Sequence, residues 1–214
     1  MAGDDKKHRD LRVWQWNCRG YRGKKAILAQ YLRTQEEKPQ VILLQETIIE
    51  DVTINGYEVS VRKGENGRGV ATCVKRGITT IDHGILDKRS NAEYMCVELL
   101  PGRHFRTSFL ILNVYSSPKK KEERFYALIA KAASIAAKAG IPLLVAGDFN
   151  APHTTWSYGA NTPKGESVVK SLHDHGFTLL TDPHFPTRMG NSVTKPSSPD
   201  LTFINYTGQQ NMDE

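Results

Sequence analysis

Four consecutive apolar residues, Leu143-Leu144-Val145-Ala146, break at Gly147 and run into Asp148-Phe149-Asn150. A strand that is apolar at every position has both faces covered, so it needs layers on either side of its sheet, and polar groups can emerge only at its end. Period-2 alternation sets Asp148 and Asn150 on one side and turns Phe149 away into packing. Two earlier segments repeat the design. Val13-Trp14-Gln15-Trp16 runs into Asn17-Cys18-Arg19-Gly20, and Val41-Ile42-Leu43-Leu44 runs into Gln45-Glu46-Thr47. A polar residue at one strand tip commonly does no more than cap the strand, but three tips carrying Asn, Glu, and Asp with Asn favour a shared site. Such a set offers oxygen ligands for a hard cation, a proton acceptor, and amide donors for phosphate. Magnesium, usually held by one or two carboxylates plus substrate phosphate oxygens, suits it.

The rest of the chain supplies the layers. Lys24 to Glu37 reads as a helix with Ile27, Leu28, Tyr31 and Leu32 on one stripe and Pro39 as its stop. Strands are expected at Tyr57–Val61, Gly69–Val74, Tyr94–Leu99 and Thr107–Val114, with hairpin-turn chemistry in Glu65-Asn66-Gly67-Arg68-Gly69. An alanine-rich helix over Lys119–Ala139 ends at Gly140, a good C-terminal cap. A helix near Gly165–His175 and short strands near Phe177 and Leu201 complete the reading. There are too many consecutive strands for an alternating sheet and too many helices for an all-β domain, so two face-to-face sheets with helices outside fit best. Without an internal repeat or linker, residues 11–214 read as one domain behind a charged tail over residues 1–10.

Lys plus Arg total 29 against 23 Asp plus Glu, a net +6 over 214 residues, which favours a polyanionic partner. Lys119-Lys120-Lys121 places cations at an expected helix start, where the dipole disfavours them, so contact with phosphates is the favoured role. His173-Asp174-His175 sits where a helix ends and reads as a surface cap. Three cysteines, Cys18, Cys73 and Cys96, lack metal-ligand spacing and read as reduced thiols of an intracellular protein, nuclear or cytoplasmic. The charged start carries no apolar signal core, its Lys6-Lys7-His8-Arg9 is too short to mark nuclear import, and no run approaches a membrane span.

The blocks Trp16-Asn17-Cys18-Arg19-Gly20, Gln45-Glu46-Thr47, Asn113-Val114-Tyr115, Gly147-Asp148-Phe149-Asn150 and Ser198-Pro199-Asp200-Leu201-Thr202 occur in an order that resembles the endonuclease/exonuclease/phosphatase superfamily. The greatest similarity is to the apurinic-like endonuclease domain of non-LTR (LINE-type) retrotransposons, over roughly residues 10 to 206. The resemblance implies a DNase I-like four-layer α/β sandwich, a monomer that acts on double-stranded DNA and is normally fused to a reverse transcriptase. It implies Mg2+ as cofactor, with Mn2+ able to substitute. Glu46 would be the principal metal ligand, Asn17 would support the metal and phosphate shell, and Tyr115 would donate toward the phosphate. Asp148 would accept a proton from, or orient, the attacking water; Asn150 would hold that water and the scissile phosphate; Asp200 would orient a histidine. Substrate contacts are expected at Arg19, Lys119, Lys120, Trp156 and Thr187. The implied reaction nicks one strand and leaves a 3′-hydroxyl that primes reverse transcription.

Two departures shape these expectations. Arg19 stands where repair-type relatives carry a second acidic residue, which exchanges metal support for phosphate contact. The family closes on a Ser-Asp-His motif well beyond the position of Asp200, whereas only residues 201–214 follow it, and none of the seven histidines fills the role; His153 is the nearest in sequence to the Asp148 block. A C-terminally truncated domain of reduced activity is therefore expected. The alternatives are a DNA-binding relic without catalysis and a phosphatase of the same superfamily.

Overall fold

The computed structural model describes residues 10–64, 67–103, 105–121, 123, 125–190, 192 and 195–206. The charged start over residues 1–9, and Glu65 and Asn66 of the expected hairpin turn, lie outside the described residues. Strand β1 (Val13–Asn17) pairs in parallel with β2 (Val41–Gln45) through helix α1 (Tyr21–Thr34). β2 continues antiparallel to β4 (Val70–Lys75), which pairs with β3 (Tyr57–Arg62), giving a four-stranded sheet of order β1-β2-β4-β3. The second sheet has six strands, ordered β5-β6-β7-β8-β10-β9. It contains β5 (Thr80–Asp82), β6 (Glu93–Leu99), β7 (Phe109–Tyr115), β8 (Leu143–Asp148), β9 (Thr178–Leu179) and β10 (Asp200–Asn205). Helix α2 (Tyr126–Ala139) makes the crossover between the parallel pair β7 and β8, and α3 (Pro163–Asp174) follows.

Alternation along each buried strand builds four layers. Ile42 and Leu44 of β2 join Tyr21, Leu28 and Leu32 of α1 in one core, while Val41 and Leu43 face inward. On β8, Leu143 and Val145 meet α2 and α3, and Leu144 and Ala146 meet the inward residues of β2. The order is helix, sheet, sheet, helices: a four-layer α/β sandwich of DNase I-like type. Between the sheets lies a buried polar link, in which Gln45 Nε2 donates to Asn113 Oδ1 at 2.7 Å and Asn113 Nδ2 donates to the Ala71 carbonyl at 3.0 Å.

Several boundaries differ from expectation for identifiable reasons. α1 begins three residues early, and Ile27 and Tyr31 are exposed, because Tyr21, Leu28 and Leu32 alone make its buried stripe. α2 begins at Tyr126, not Lys119: Ser117 Oγ accepts from Lys119 N at 3.4 Å and the Ser117 carbonyl from Lys120 N at 3.0 Å, so turns replace a first helical turn that three lysines would burden. The strand read as breaking at Gly147 runs on to Asp148. β5 is a short, partly exposed edge strand with no apolar run.

All three cysteines are free and buried. Burial pushes the thiols of Cys73 and Cys96 up to about 12 and that of Cys18 up to about 11. A folded-state pKa above the unfolded value means the stabilisation is complete below the unfolded pKa and is lost as pH rises. Each thiol should withdraw about 1.5 kcal/mol by about pH 10. Lys164, brought down to about 8 by burial, works in the opposite sense over the same range but is a single group. Denaturant midpoints from pH 7 to 10 should therefore fall, and Cys73→Ala, though less stable at pH 7, should show a shallower decline. Parallel declines in the two proteins would refute this origin.

Candidate active site

Three strand tips end on the same edge of the sandwich, and each bends through a residue in the left-handed region: Arg19 (φ 44°) after β1, Glu46 (φ 51°) after β2 and Asn150 (φ 44°) after β8. Such strain in non-glycine residues persists only where surrounding contacts impose it, and it concentrates at functional sites. Here Gly20 N donates to the Glu46 carbonyl at 2.8 Å and Tyr21 N to that of Thr47 at 2.9 Å, locking the first two tips together.

The Asn17 amide joins the two sheets. Its Nδ2 donates to Glu46 Oε1 and to Asp148 Oδ2, both at 2.7 Å, while Oδ1 accepts from Arg19 N at 3.1 Å. Asn17 thus presents its nitrogen to the carboxylates; the oxygen expected to support a metal is turned to backbone. In the six-stranded sheet Tyr115, Asp148 and Asp200 lie side by side on adjacent strands. Asp148 Oδ1 accepts from Asn150 N at 3.1 Å, and Asn150 Nδ2 donates to the Ser116 carbonyl at 3.1 Å. Asn150 is therefore held by its own strand tip and by the loop after β7, while Phe149 enters the core between Phe125 and Phe203, as alternation requires.

Burial, then the charge of Asp200, raises Asp148 to about 6 against the hydrogen bonds from Asn17 and Asn150. That places the carboxylate where a general base works near neutral pH. Asp200 is raised as well, chiefly by burial. Its Oδ2 accepts from Thr187 Oγ1 at 2.7 Å and its Oδ1 from Gln15 Nε2 at 3.1 Å. Burial and the Glu46 charge push the Tyr115 phenol up to about 12, so it stays a donor. Arg68 closes the mouth: its Nη1 lies 3.0 Å from Glu46 Oε2 and 2.5 Å from Tyr115 Oη. Beside these groups opens a cleft of about 660 Å³ lined by Arg19, Lys24 and Arg188 as well as Asp148 and Asp200.

Glu46, Asn17, Tyr115, Asp148, Asn150 and Asp200 thus lie together at this edge. The outer contacts are different. Trp156 is wholly buried, its indole N–H donating to the Ala151 carbonyl at 2.8 Å, so it supports the loop behind Asn150 and presents no face to DNA. Thr187 lines the cleft with its hydroxyl committed to Asp200. Lys120 Nζ donates to the Asn91 carbonyl at 2.6 Å, while Lys119 is exposed beside it. His153 is buried, accepts from Thr155 N at 3.1 Å and faces Glu166, a structural cap; His173 is exposed at the end of α3. Gln15, Arg68 and Lys164 were not foreseen. Gln15 shares a face of β1 with Asn17, a signal present in the alternation. Lys164 is buried with its ammonium on the Ser117 carbonyl at 3.1 Å, bracing the loop that carries Ser116.

Among the described residues no three His, Cys, Asp or Glu side chains cluster as a closed metal cage. The set fits a cation of magnesium type all the same, since one partly exposed carboxylate, Glu46, already faces a positive charge at the mouth, and such ions take most ligands from water and substrate.

Residues 109–214 match the family model described as endonuclease-reverse transcriptase. No curated protein matches the chain. Among solved structures, the endonuclease domain of TRAS1, a telomere-specific non-LTR retrotransposon, superposes with a TM-score of 0.67 at 20% identity, covering 90% of this chain and 83% of that one. The AP endonuclease LMAP from Leishmania major gives 0.68 at 13% identity, covering 91% and 79%. The human Nocturnin catalytic domain with bound sulfate gives 0.64 at 15%, covering 94% and 83%. These likenesses establish the fold, that of the endonuclease/exonuclease/phosphatase structures, and the C-terminal half of the chain is similar in sequence to the endonuclease-reverse transcriptase family.

Proposed function

We propose that this chain is a magnesium-dependent endonuclease that nicks duplex DNA, leaving a 3′-hydroxyl, and that it works joined to a reverse transcriptase. The observation that carries the reading is the bridge from Asn17 to Glu46 and Asp148, which assembles a cation-facing carboxylate and a carboxylate of raised pKa within one amide's reach. Asp148 takes the proton of a water that Asn150 helps to position. Tyr115 supplies a donor toward the phosphate, the Asn17 amide spends both of its N–H groups on holding the two carboxylates, and Asp200, held by Thr187 and Gln15, keeps a second negative charge against Asp148 that sustains its basicity. A bound divalent cation at Glu46 would neutralise charge on the phosphate. Arg19, Lys24 and Arg188 along the cleft supply positive charge for a nucleic-acid backbone.

Incubating supercoiled plasmid with the protein and Mg2+ should yield nicked circles whose ends a DNA polymerase extends. Glu46→Gln should weaken Mn2+ binding, read by water-proton relaxation, and slow nicking about 10²-fold or more. Salt-sensitive DNA binding with no nicking would support the relic instead, and release of inorganic phosphate from monoesters without nicking would support a phosphatase.

A further inference from the structure

We infer that Arg68 is a catalytic residue which serves as the counter-ion of Glu46 while no metal is bound and turns to the scissile phosphate when a divalent cation takes its place. The inference rests on the magnesium reading of Glu46 and adds a group that neither the carboxylate set nor the sequence blocks contain. Its backbone is fixed. Ile48 N donates to the Arg68 carbonyl at 2.7 Å, Thr47 Oγ1 to the same oxygen at 3.2 Å, and Gly69 N to Glu93 Oε2 at 2.5 Å. Arg68 is thereby clamped to the very loop that carries Glu46, and only its side chain has freedom.

That side chain is 37% exposed at the mouth of the site, against 15% for Glu46. It uses one nitrogen, Nη1, for both Glu46 Oε2 and the Tyr115 oxygen; among the described residues its Nη2 and Nε have no acceptor. A planar fork with idle donors, beside a phenol that can donate into the same space, is suited to two oxygens of a phosphodiester. The phenol oxygen accepts from Arg68 while its own hydrogen is given to Glu46, so a cation that takes over the carboxylate releases that hydrogen as well. The other oxygen of Glu46 is engaged by Asn17, so an arriving cation and the guanidinium compete for Oε2. Displaced from the carboxylate, a cation anchored this closely meets the next negative charge in the site, the phosphate. There it opposes charge that grows in the transition state.

The test is a comparison of Mn2+ affinity, by water-proton relaxation, with nicking rate at saturating metal in the wild type, Arg68→Met, Arg68→Lys and Glu46→Gln. With its competitor removed, Arg68→Met should bind Mn2+ about three- to tenfold more tightly, yet nick about 10²- to 10³-fold more slowly. Arg68→Lys, which keeps the charge without the fork, should hold wild-type Mn2+ affinity and still lose most of the rate. A residue that only buttressed the loop would weaken metal binding on removal. Equal or weaker Mn2+ binding in Arg68→Met, or an Arg68→Met enzyme that nicks within a few-fold of wild type, overturns the inference. A Glu46→Gln protein with undiminished Mn2+ binding would strike at the metal reading itself, which is a separate result.

Discussion

Replacing Asp148 with alanine should lower plasmid nicking by about 10²- to 10⁴-fold, the range for loss of a positioned general base, while leaving the fold in place and duplex binding equal or tighter. Asp148 is buried beside Asp200 and Glu46, and its pKa of about 6 records the repulsion and desolvation that it bears. An acid whose folded pKa is raised contributes stability below its unfolded value and forfeits it as pH climbs through the folded value. The wild type, in EDTA, therefore carries a penalty of about 3 kcal/mol at pH 7.5 that Asp148→Ala removes. The alanine protein loses in exchange the acceptor for Asn150 N and one acceptor of the Asn17 amide. Melting temperatures should thus be at or above wild type at pH 7.5 and relatively lower at pH 5, where the wild-type carboxyl is protonated. Nicking within tenfold of wild type would remove Asp148 as the base. A protein that melts far lower at both pH values would show that the carboxylate is structural.

The site was readable in the chain to the extent that it depends on alternation. Asn17, Glu46 and Asp148 stand at the ends of apolar runs, and a period of two requires them to emerge on one edge once the strands stack as they do. What alternation cannot reveal is which neighbour a side chain meets across the gap between sheets. Gln15 reaches Asp200 from the opposite sheet, and Arg68 reaches Glu46 and Tyr115 from a turn between two glycines. Neither pairing has a local signature. The same limit explains Trp156: an aromatic in an irregular segment reads equally as a DNA contact or as packing, and only the Ala151 carbonyl that its indole finds in the interior decides the matter. The helix start at Tyr126 depended on competition between Ser117 turns and a first helical turn, a balance of small terms that residue type alone does not settle.

Gly147→Ala should destabilise the protein by about 3 kcal/mol or more, and Gly23→Ala should stabilise it by about 0.5–1 kcal/mol. A Cβ built on Gly147 would lie 1.8 Å from the Val114 carbonyl oxygen and 2.8 Å from its nitrogen. Both are backbone atoms of β7, which pairs with β8 through Val114 and Gly147 and through Tyr115 and Asp148. No side chain can swing aside to make room, so β7 and β8 must part in the middle of the six-stranded sheet, one residue before the proposed base. Gly147 therefore belongs to the strand because two backbones approach there, which is a different reason from the strand break that its identity first implies. Gly23 lies inside α1 with nothing within 4 Å of the added carbon, so the same substitution merely removes freedom from the unfolded chain. Denaturant unfolding of both variants gives the signs directly. Gly147→Ala should also reduce nicking, through displacement of Asp148 from the Asn17 amide, whereas Gly23→Ala should leave it unchanged. If Gly147→Ala were as stable as wild type, the close approach of β7 and β8 would be wrong, and with it the side-by-side placement of Tyr115 and Asp148 on which the site is built.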